Sequence, residues 1–365
     1  MNIDFANLQK HYLLYKEEID TAVHTVMEKC NFIMGEEVIQ LEEELARYVG
    51  VKHAITCSSG TDALQLSLMA IDIAPGDEVI TTPFTFIATA EMIAHLGAVP
   101  VFVDIDEATY NMDPTKIEAA ITPKTKAIIP VSLYGQCANM DAINAVAEKH
   151  HLIVIEDGAQ SFGATYKGKK SCGLSEIGCT SFFPAKPLGC FGDGGAVFTD
   201  NDLLAEKIRS LRVHGQSKRY HHRYIGIGGR LDTIQAAVLL VKLRHYECDL
   251  SMRQTVAHHY DTVLSSKHPI PFIAPECTSA YAQYSIRVQK RDVFQEKLKS
   301  AGIPTAVHYP MPLHLQECFT YLGYRVGDFP ICEQVSQEII SLPMNPFLNN
   351  EEITYICTTL LGITE

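Results

Sequence analysis

Five apolar runs rich in valine and isoleucine recur between helix-like stretches in the first half of the chain. They limit the fold more than any other feature. "KHAITC", "DEVITTP", "VPVFVDID", "TKAIIPVSLYG" and "HLIVIEDGAQ" are continuous rather than alternating in polarity. A strand with one wet face alternates, whereas an unbroken apolar run is covered on both faces. Between them "EEVIQLEEELARYVG", "TDALQLSLMAI", "ATAEMIAHLG", "PTKIEAAIT" and "MDAINAVAEKH" have helical apolar spacing, the first ending at Gly50. The reading is an α/β fold with a mostly parallel central sheet and helices on both faces. "IGCTSFFP" and "GGAVFTD" add a strand pair across a glycine-rich loop. After Arg230 the pattern changes to one long helical stretch, "LDTIQAAVLLVKLRHYECDLSMRQTVAHHYDTVL". Strand-like "YAQYSIRV" and "AVHYP", helical "VFQEKLKSAG" and a C-terminal helix follow. Residues 1–245 are expected to form a large α/β domain with an N-terminal arm, and 246–365 a smaller C-terminal α+β domain.

Composition excludes several classes of function. No apolar run approaches the length of a membrane span, and the N-terminus lacks the basic start and apolar block of a secretory signal. The eleven cysteines lie scattered from Cys30 to Cys357 without a C-x-x-C pair, as expected of reduced thiols in a cytoplasm. A formal net charge of −13 argues against nucleic acid or an anionic membrane as partner. "SKRYHHRY" is basic and aromatic, but in an acidic chain it reads as a mobile surface loop. The fifteen histidines show no H-E-x-x-H spacing, so no metal site is expected.

Ligands of open α/β sheets sit at the carboxyl ends of the strands. Four polar segments stand there. Asp157 ends "LIVIED", and Lys186 follows 186 − 157 = 29 residues later in "SFFPAKPLG". "SSGT" opens a helix whose N–H groups, with the Ser59 and Thr61 hydroxyls, suit a phosphate. Phe86 lies in "PFTF". Each has an ordinary explanation: a helix-capping aspartate, a lysine–aspartate ion pair, a serine cap, a core phenylalanine. Together they match pyridoxal 5′-phosphate (PLP), which needs a Schiff-base lysine, a carboxylate at the pyridine nitrogen, a phosphate cup and a stacking ring. Desolvation lowers a lysine's pKa so that the neutral amine attacks a carbonyl. Pro187 turns Lys186 away from helical backbone.

At this point the chain resembles the fold type I PLP enzymes, and within them the DegT/DnrJ/StrS-type nucleotide-sugar aminotransferases. The likeness runs from "NFIMGEEVIQLEEELARYVGVKHAITCSSGTDAL" through "EDGAQSFGA", "SFFPAKPLGCFGDGGA" and "RLDTIQAA" to "AVHYPMPLH". "TKAIIPVSLYGQCANMDAINA" looks closest to members acting on UDP-2-acetamido-2-deoxy-3-oxo-glucuronate, on the route to lipopolysaccharide O-antigen sugars. The resemblance implies that the 1–245 domain binds PLP. It makes Lys186 the Schiff-base residue and general acid/base, with Asp157 at the ring nitrogen and Gln160 at the ring hydroxyl. Phe86 would stack on the ring, and Gly60, Thr61 and Ser181 would hold the phosphate.

The resemblance also implies a homodimer with shared active sites, the loop before "RLDTIQAA" reaching the partner. The family's G-x-N-x-R in that loop is here "GIGGR", with Gly228 in place of asparagine, so Arg230 is carried over and Gly228 is not. L-glutamate would be the amino donor, leaving as 2-oxoglutarate. A sugar carboxylate would meet Arg230, which alternatively pairs with Asp232. His308 and Tyr309 would also face the substrate, or else pack between domains. The rivals are an aminotransferase of another nucleotide-linked keto-sugar, such as a dTDP-3- or 4-keto-6-deoxyhexose, and a non-catalytic PLP-binding regulator. A dehydratase of the same superfamily carries histidine in place of the lysine, against Lys186 here.

Overall fold

The structure, a computed structural model, describes residues 3–265 and 268–363. An arm of α1 (Leu8–Leu14) and α2 (Lys16–Lys29) leads into α3 (Glu36–Val49). Strands and helices then alternate: β1 (His53–Cys57), α4 (Gly60–Ala70), β2 (Glu78–Thr81), α5 (Ala88–His95), β3 (Val99–Phe102), β4 (Thr125–Ile128), α6 (Met140–His150) and β5 (Ile153–Asp157). A short hairpin of β6 (Thr165–Tyr166) and β7 (Lys169–Lys170) precedes β8 (Ile177–Ser181), β9 (Gly195–Thr199) and α7 (Asp202–Leu211). A second hairpin, β10 (Gln216–Lys218) with β11 (His221–His222), leads to α8 (Thr233–Leu264). Then come β12 (Tyr284–Arg287), α9 (Arg291–Ser300), α10 (Pro330–Glu338), β13 (Ile339–Leu342) and α11 (Asn350–Leu361).

Seven strands make one sheet in the order β1-β9-β8-β5-β4-β2-β3. Neighbours from β8 to β3 pair in parallel, while β9 runs antiparallel to both β1 and β8. The apolar runs are indeed covered twice. Ala54, Ala196 and Phe198 face a core with α3 and the first half of α8. Ile55, Val197 and Cys179 face a second core with α4, α5 and α7. A third core gathers the far half of α8 (Val256, Ala257, Tyr260, Leu264), β12, β13, α9 and α11. Thus α8 is one helix of 32 residues that passes from the first core at Leu250 to the third at Val256, while its Val238 and Val241 pack on Tyr15 and Ile19 of the arm. A fourth cluster joins Phe84, Phe102 and Val131 to Leu313, Phe329 and Ile339. No described helix is long and apolar enough to cross a membrane.

Two local expectations need correction. "PTKIEAAIT" forms two 3₁₀ turns, Pro114–Lys116 and Glu118–Ala120, rather than an α-helix. Pro114 starts it and Pro123 follows at once, so no room remains for a longer hydrogen-bonded run. "AVHYP" is not a strand: only Ala306 pairs, with Ser341, because Pro304, Pro310 and Pro312 interrupt the ladder's N–H donors.

Candidate active site

Strand pairing alone brings the four segments together. Cys57 pairs with Gly195, Gly195 with Ser181, and the neighbouring Cys179 with Asp157. The carboxyl ends of β1, β8 and β5 therefore converge. The Ser59 side chain accepts the Asp62 N–H at 3.0 Å and caps α4, as the ordinary reading of that serine has it. Gly60, the first residue of α4, is pressed on Ser181: a Cβ there would lie 2.6 Å from the Ser181 Cβ. A Cβ on Gly195 would lie 2.4 Å from the Ser59 carbonyl oxygen. Only glycine admits this close approach, which sets Gly60, Thr61 and Ser181, all partly accessible, side by side at a helix N-terminus, the candidate phosphate cup.

Asp157 lies behind the cup and is buried. Thr89 Oγ1 donates to its Oδ2 at 2.8 Å, and the Ala159 N–H to its Oδ1 at 3.2 Å. Burial pushes the carboxyl above its usual range, opposed by these two donors and by the Lys186 charge. Thr89 was not foreseen. It belongs to the first turn of α5, after β2, two strands away from β5 in the sheet, and nothing in its neighbourhood signals that reach.

Lys186 sits in a turn closed by its own N–H, which donates to the Phe183 carbonyl at 2.8 Å. Its side chain is partly accessible yet closely walled, and burial pushes the ammonium below the lysine range, opposed by Asp157. Among the described residues no hydrogen bond ends on Lys186 Nζ, so the simple ion pair with Asp157 is not formed. The loop beyond is tied to α8. Lys242 Nζ donates to the Gly189 carbonyl, and the Phe191 N–H donates to Gln235 Oε1 at 2.8 Å.

Gln160 has its amide orientation fixed. Its Oε1 accepts the Tyr134 N–H at 2.9 Å, and its Nε2 donates to the Tyr309 hydroxyl at 3.1 Å. Tyr309 is half-buried, and its ring lies 6.2 Å from that of Phe86. Phe86 is not a core residue: it is 56% exposed, and Phe84 takes the buried place. His308 packs beside Tyr309 and shares a hydrogen bond between its Nδ1 and Ser341 Oγ at 2.9 Å. Burial, with the Lys186 charge, lowers His308 to about 4, so the imidazole is neutral.

Arg230 follows Gly229, whose carbonyl accepts the Ser58 N–H at 3.1 Å, so its backbone borders the cup. The guanidinium is partly exposed and, among the described residues, pairs with neither Asp232 nor any other group. Gly228 abuts His214, whose ring lies 3.1 Å from where a Cβ would stand. The hairpin before it carries Tyr220 at 78% exposure, and Ile225, between the hairpin and Gly228, is 93% exposed.

The residues present fit PLP. A glycine-floored cup at a helix N-terminus suits its phosphate, a buried carboxyl its ring nitrogen, and an unpaired lysine its aldehyde. The comparisons with known proteins agree. The model of the DegT/DnrJ/EryC1/StrS aminotransferase family matches residues 14–361. The chain is 52% identical over 359 residues to the UDP-2-acetamido-2-deoxy-3-oxo-D-glucuronate aminotransferase of Pseudomonas aeruginosa, covering 98% of this chain and 99% of that one. It superposes on a DegT DnrJ EryC1 StrS aminotransferase from Brucella abortus with a TM-score of 0.96 and 40% identity, over 99% of both chains. It also superposes on the PLP-form of a putative sugar aminotransferase from Streptococcus pneumoniae with a TM-score of 0.89 and 29% identity, over 94% of this chain and 95% of that one. The protein is a PLP-dependent aminotransferase of fold type I, and the chain belongs to the DegT/DnrJ/EryC1/StrS aminotransferase family.

Proposed function

We propose that this enzyme moves an amino group from L-glutamate to the C3 ketone of a UDP-linked 2-acetamido-2-deoxy-3-oxo-glucuronate, for lipopolysaccharide O-antigen sugars. The observation that carries the reading is 52% identity, over nearly the whole of both chains, to an aminotransferase named for that sugar. The unpaired Arg230 beside the cup supports it, because a guanidinium takes a carboxylate in two-pronged fashion.

PLP, when bound, supplies the electron sink and the carrier for the amino group. The chain's own groups do the rest. Lys186 Nζ would hold the cofactor and, once released, would carry the proton between cofactor C4′ and the sugar C3 as general acid/base. Burial lowers its pKa and so favours the neutral amine. Asp157 keeps a proton on the ring nitrogen, and its raised pKa as a bare carboxyl falls back when a positive partner arrives. Gln160 offers an Nε2 hydrogen to the ring hydroxyl, since its Oε1 is already spent on Tyr134. Phe86 covers one ring face. Gly60, Thr61 and Ser181 hold the phosphate, while Arg230, His308 and Tyr309 meet the sugar.

The active form in this reading is a homodimer with shared sites. Exposed Phe32, Ile33, Phe183 and Phe191, and the projecting hairpin, support it. The chain divides into a PLP-binding α/β unit and a C-terminal unit, joined along α8. A cytoplasmic setting fits eleven free thiols.

The test is a pair of substrates. Wild type and Arg230→Ala are assayed on the 3-keto uronate and on the matching neutral 3-keto sugar. A selective loss of roughly 10- to 100-fold on the uronate is expected, the worth of one charge-assisted bond. Equal losses on both would give Arg230 to the fold or the cofactor. Preference of the wild type for the neutral sugar, or for a dTDP-keto-sugar, would move the assignment to another nucleotide sugar. Failure of L-glutamate to convert the bound cofactor to its pyridoxamine form would leave a regulator.

A further inference from the structure

Glu156 precedes Asp157 on β5 and so points to the opposite face of the sheet. It is fully enclosed, at 0% exposure. Among the described residues no cation pairs with it. A buried carboxylate without a cation is costly unless hydrogen bonds satisfy it. Here Ser132 Oγ and Ser171 Oγ donate to Oε1 at 2.9 and 2.8 Å, and the Cys172 N–H donates to Oε2 at 2.8 Å. The Cys172 amide can only donate. Ser132 Oγ also accepts the Ala138 N–H at 3.2 Å. Burial pushes the Glu156 carboxyl above its usual range, opposed by Ser171, Ser132 and the Cys172 amide. The titratable groups around it are Asp157 and the thiols of Cys137, Cys172 and Cys179, and burial pushes all three thiols up, keeping them neutral.

Both serines lead to the cofactor site. The Ser132 N–H donates to the Asp157 carbonyl at 3.0 Å. Two residues on, Tyr134 has φ 57 and ψ 1, a left-handed conformation that bulky residues rarely adopt. That conformation aims its N–H at Gln160 Oε1, while its hydroxyl donates to the His308 carbonyl. On the other side, Ser171 Oγ meets Ser161 Oγ at 2.6 Å, next to Gln160. One carboxylate thus grips the segments before and after the residues that face the ring.

We propose that Glu156 is a positioning residue, which holds Ser132–Tyr134 and Ser161 so that Asp157 and Gln160 meet the cofactor ring in register. This rests on the PLP reading of the site. The test is the Glu156→Gln holoenzyme. Glutamine keeps the volume but carries no charge and loses part of the acceptor set. Expected are a kcat lower by about 10- to 100-fold, in line with small displacements of reacting groups, a smaller change in KM for L-glutamate, and a lower pH midpoint in the titration of the cofactor's visible absorbance. Should Glu156→Gln fold poorly, the double variant Ser132→Ala with Ser171→Ala keeps the carboxyl and removes two bonds. It is expected to lower kcat in the same way. Wild-type kcat and absorbance titration in either variant, with only a lower melting temperature, would make Glu156 a plain core residue and overturn the proposal. A wild-type protein with no cofactor absorbance would instead overturn the PLP reading beneath it.

Discussion

At the scale of single residues, two groups with opposite shifts carry the proposed chemistry, and each gives a prediction. Lys186→Ala is expected to retain PLP without a covalent link and to lose about 10²- to 10⁴-fold in turnover from the proton role alone. Stopped-flow absorbance and steady-state rates measure both. Asp157→Asn tests function against stability. Burial raises the Asp157 pKa in the folded apoprotein, so its contribution to stability is present below the unfolded value and is lost as pH rises through the folded one. Apo Asp157→Asn is therefore expected to melt no lower than apo wild type at neutral pH, while both half-reactions slow sharply. A variant with wild-type rate and a lower melting temperature would make Asp157 a helix cap. His308 carries the opposite sign. Its folded pKa, about 4, lies below the ordinary imidazole value of 6.5, so stability is lost as pH falls from about 6.5 towards 4, by about 1–3 kcal/mol. Melting curves of wild type and His308→Gln across that window should converge at acid pH. Lys186, Asp157 and the glycine cup were legible because each needs a residue type that its surroundings do not otherwise call for. Phe86 was less so, since an aromatic in an apolar stretch reads as core until the strand end shows Phe84 filling that place.

At the scale of elements, the site depends on how closely α4 approaches β8. Gly60→Ala would press a methyl group to 2.6 Å from Ser181. Overpacking of this kind costs about 1–3 kcal/mol, so PLP should dissociate roughly 10- to 100-fold more readily, with the apoprotein still folded. Equilibrium dialysis of PLP against wild type and variant checks this, and unchanged affinity would remove the cup from the phosphate site. The parallel strands were readable because burial on both faces leaves an unbroken apolar signature. The 114–122 and 306–309 segments were not, because prolines there override periodicity and propensity. Contacts such as Thr89 to Asp157 depend on strand order, which the pattern of one strand does not carry.

At the scale of the whole molecule, the proposed sharing of sites between two subunits predicts complementation. Lys186→Ala and a variant lacking residues 217–224, each inactive alone, should regain part of the wild-type rate when mixed and refolded together, since a mixed dimer holds one intact site. No recovery, with sedimentation showing mixed dimers, would place each site within one chain. The C-terminal core has a further property. Ile3 is packed in it, the Met344 N–H donates to the Phe5 carbonyl, and Asn345 Nδ2 donates to the Asp4 carbonyl at 3.0 Å. Residues 3–5 and 344–345 are joined there. During synthesis the central sheet has all its strands once Thr199 has left the ribosome, but residues 3–5 must wait for residues 344 and 345 before they find their seat. That segment is thus buried late, and a nascent chain stalled anywhere before residue 344 should show it cut by protease while the sheet resists.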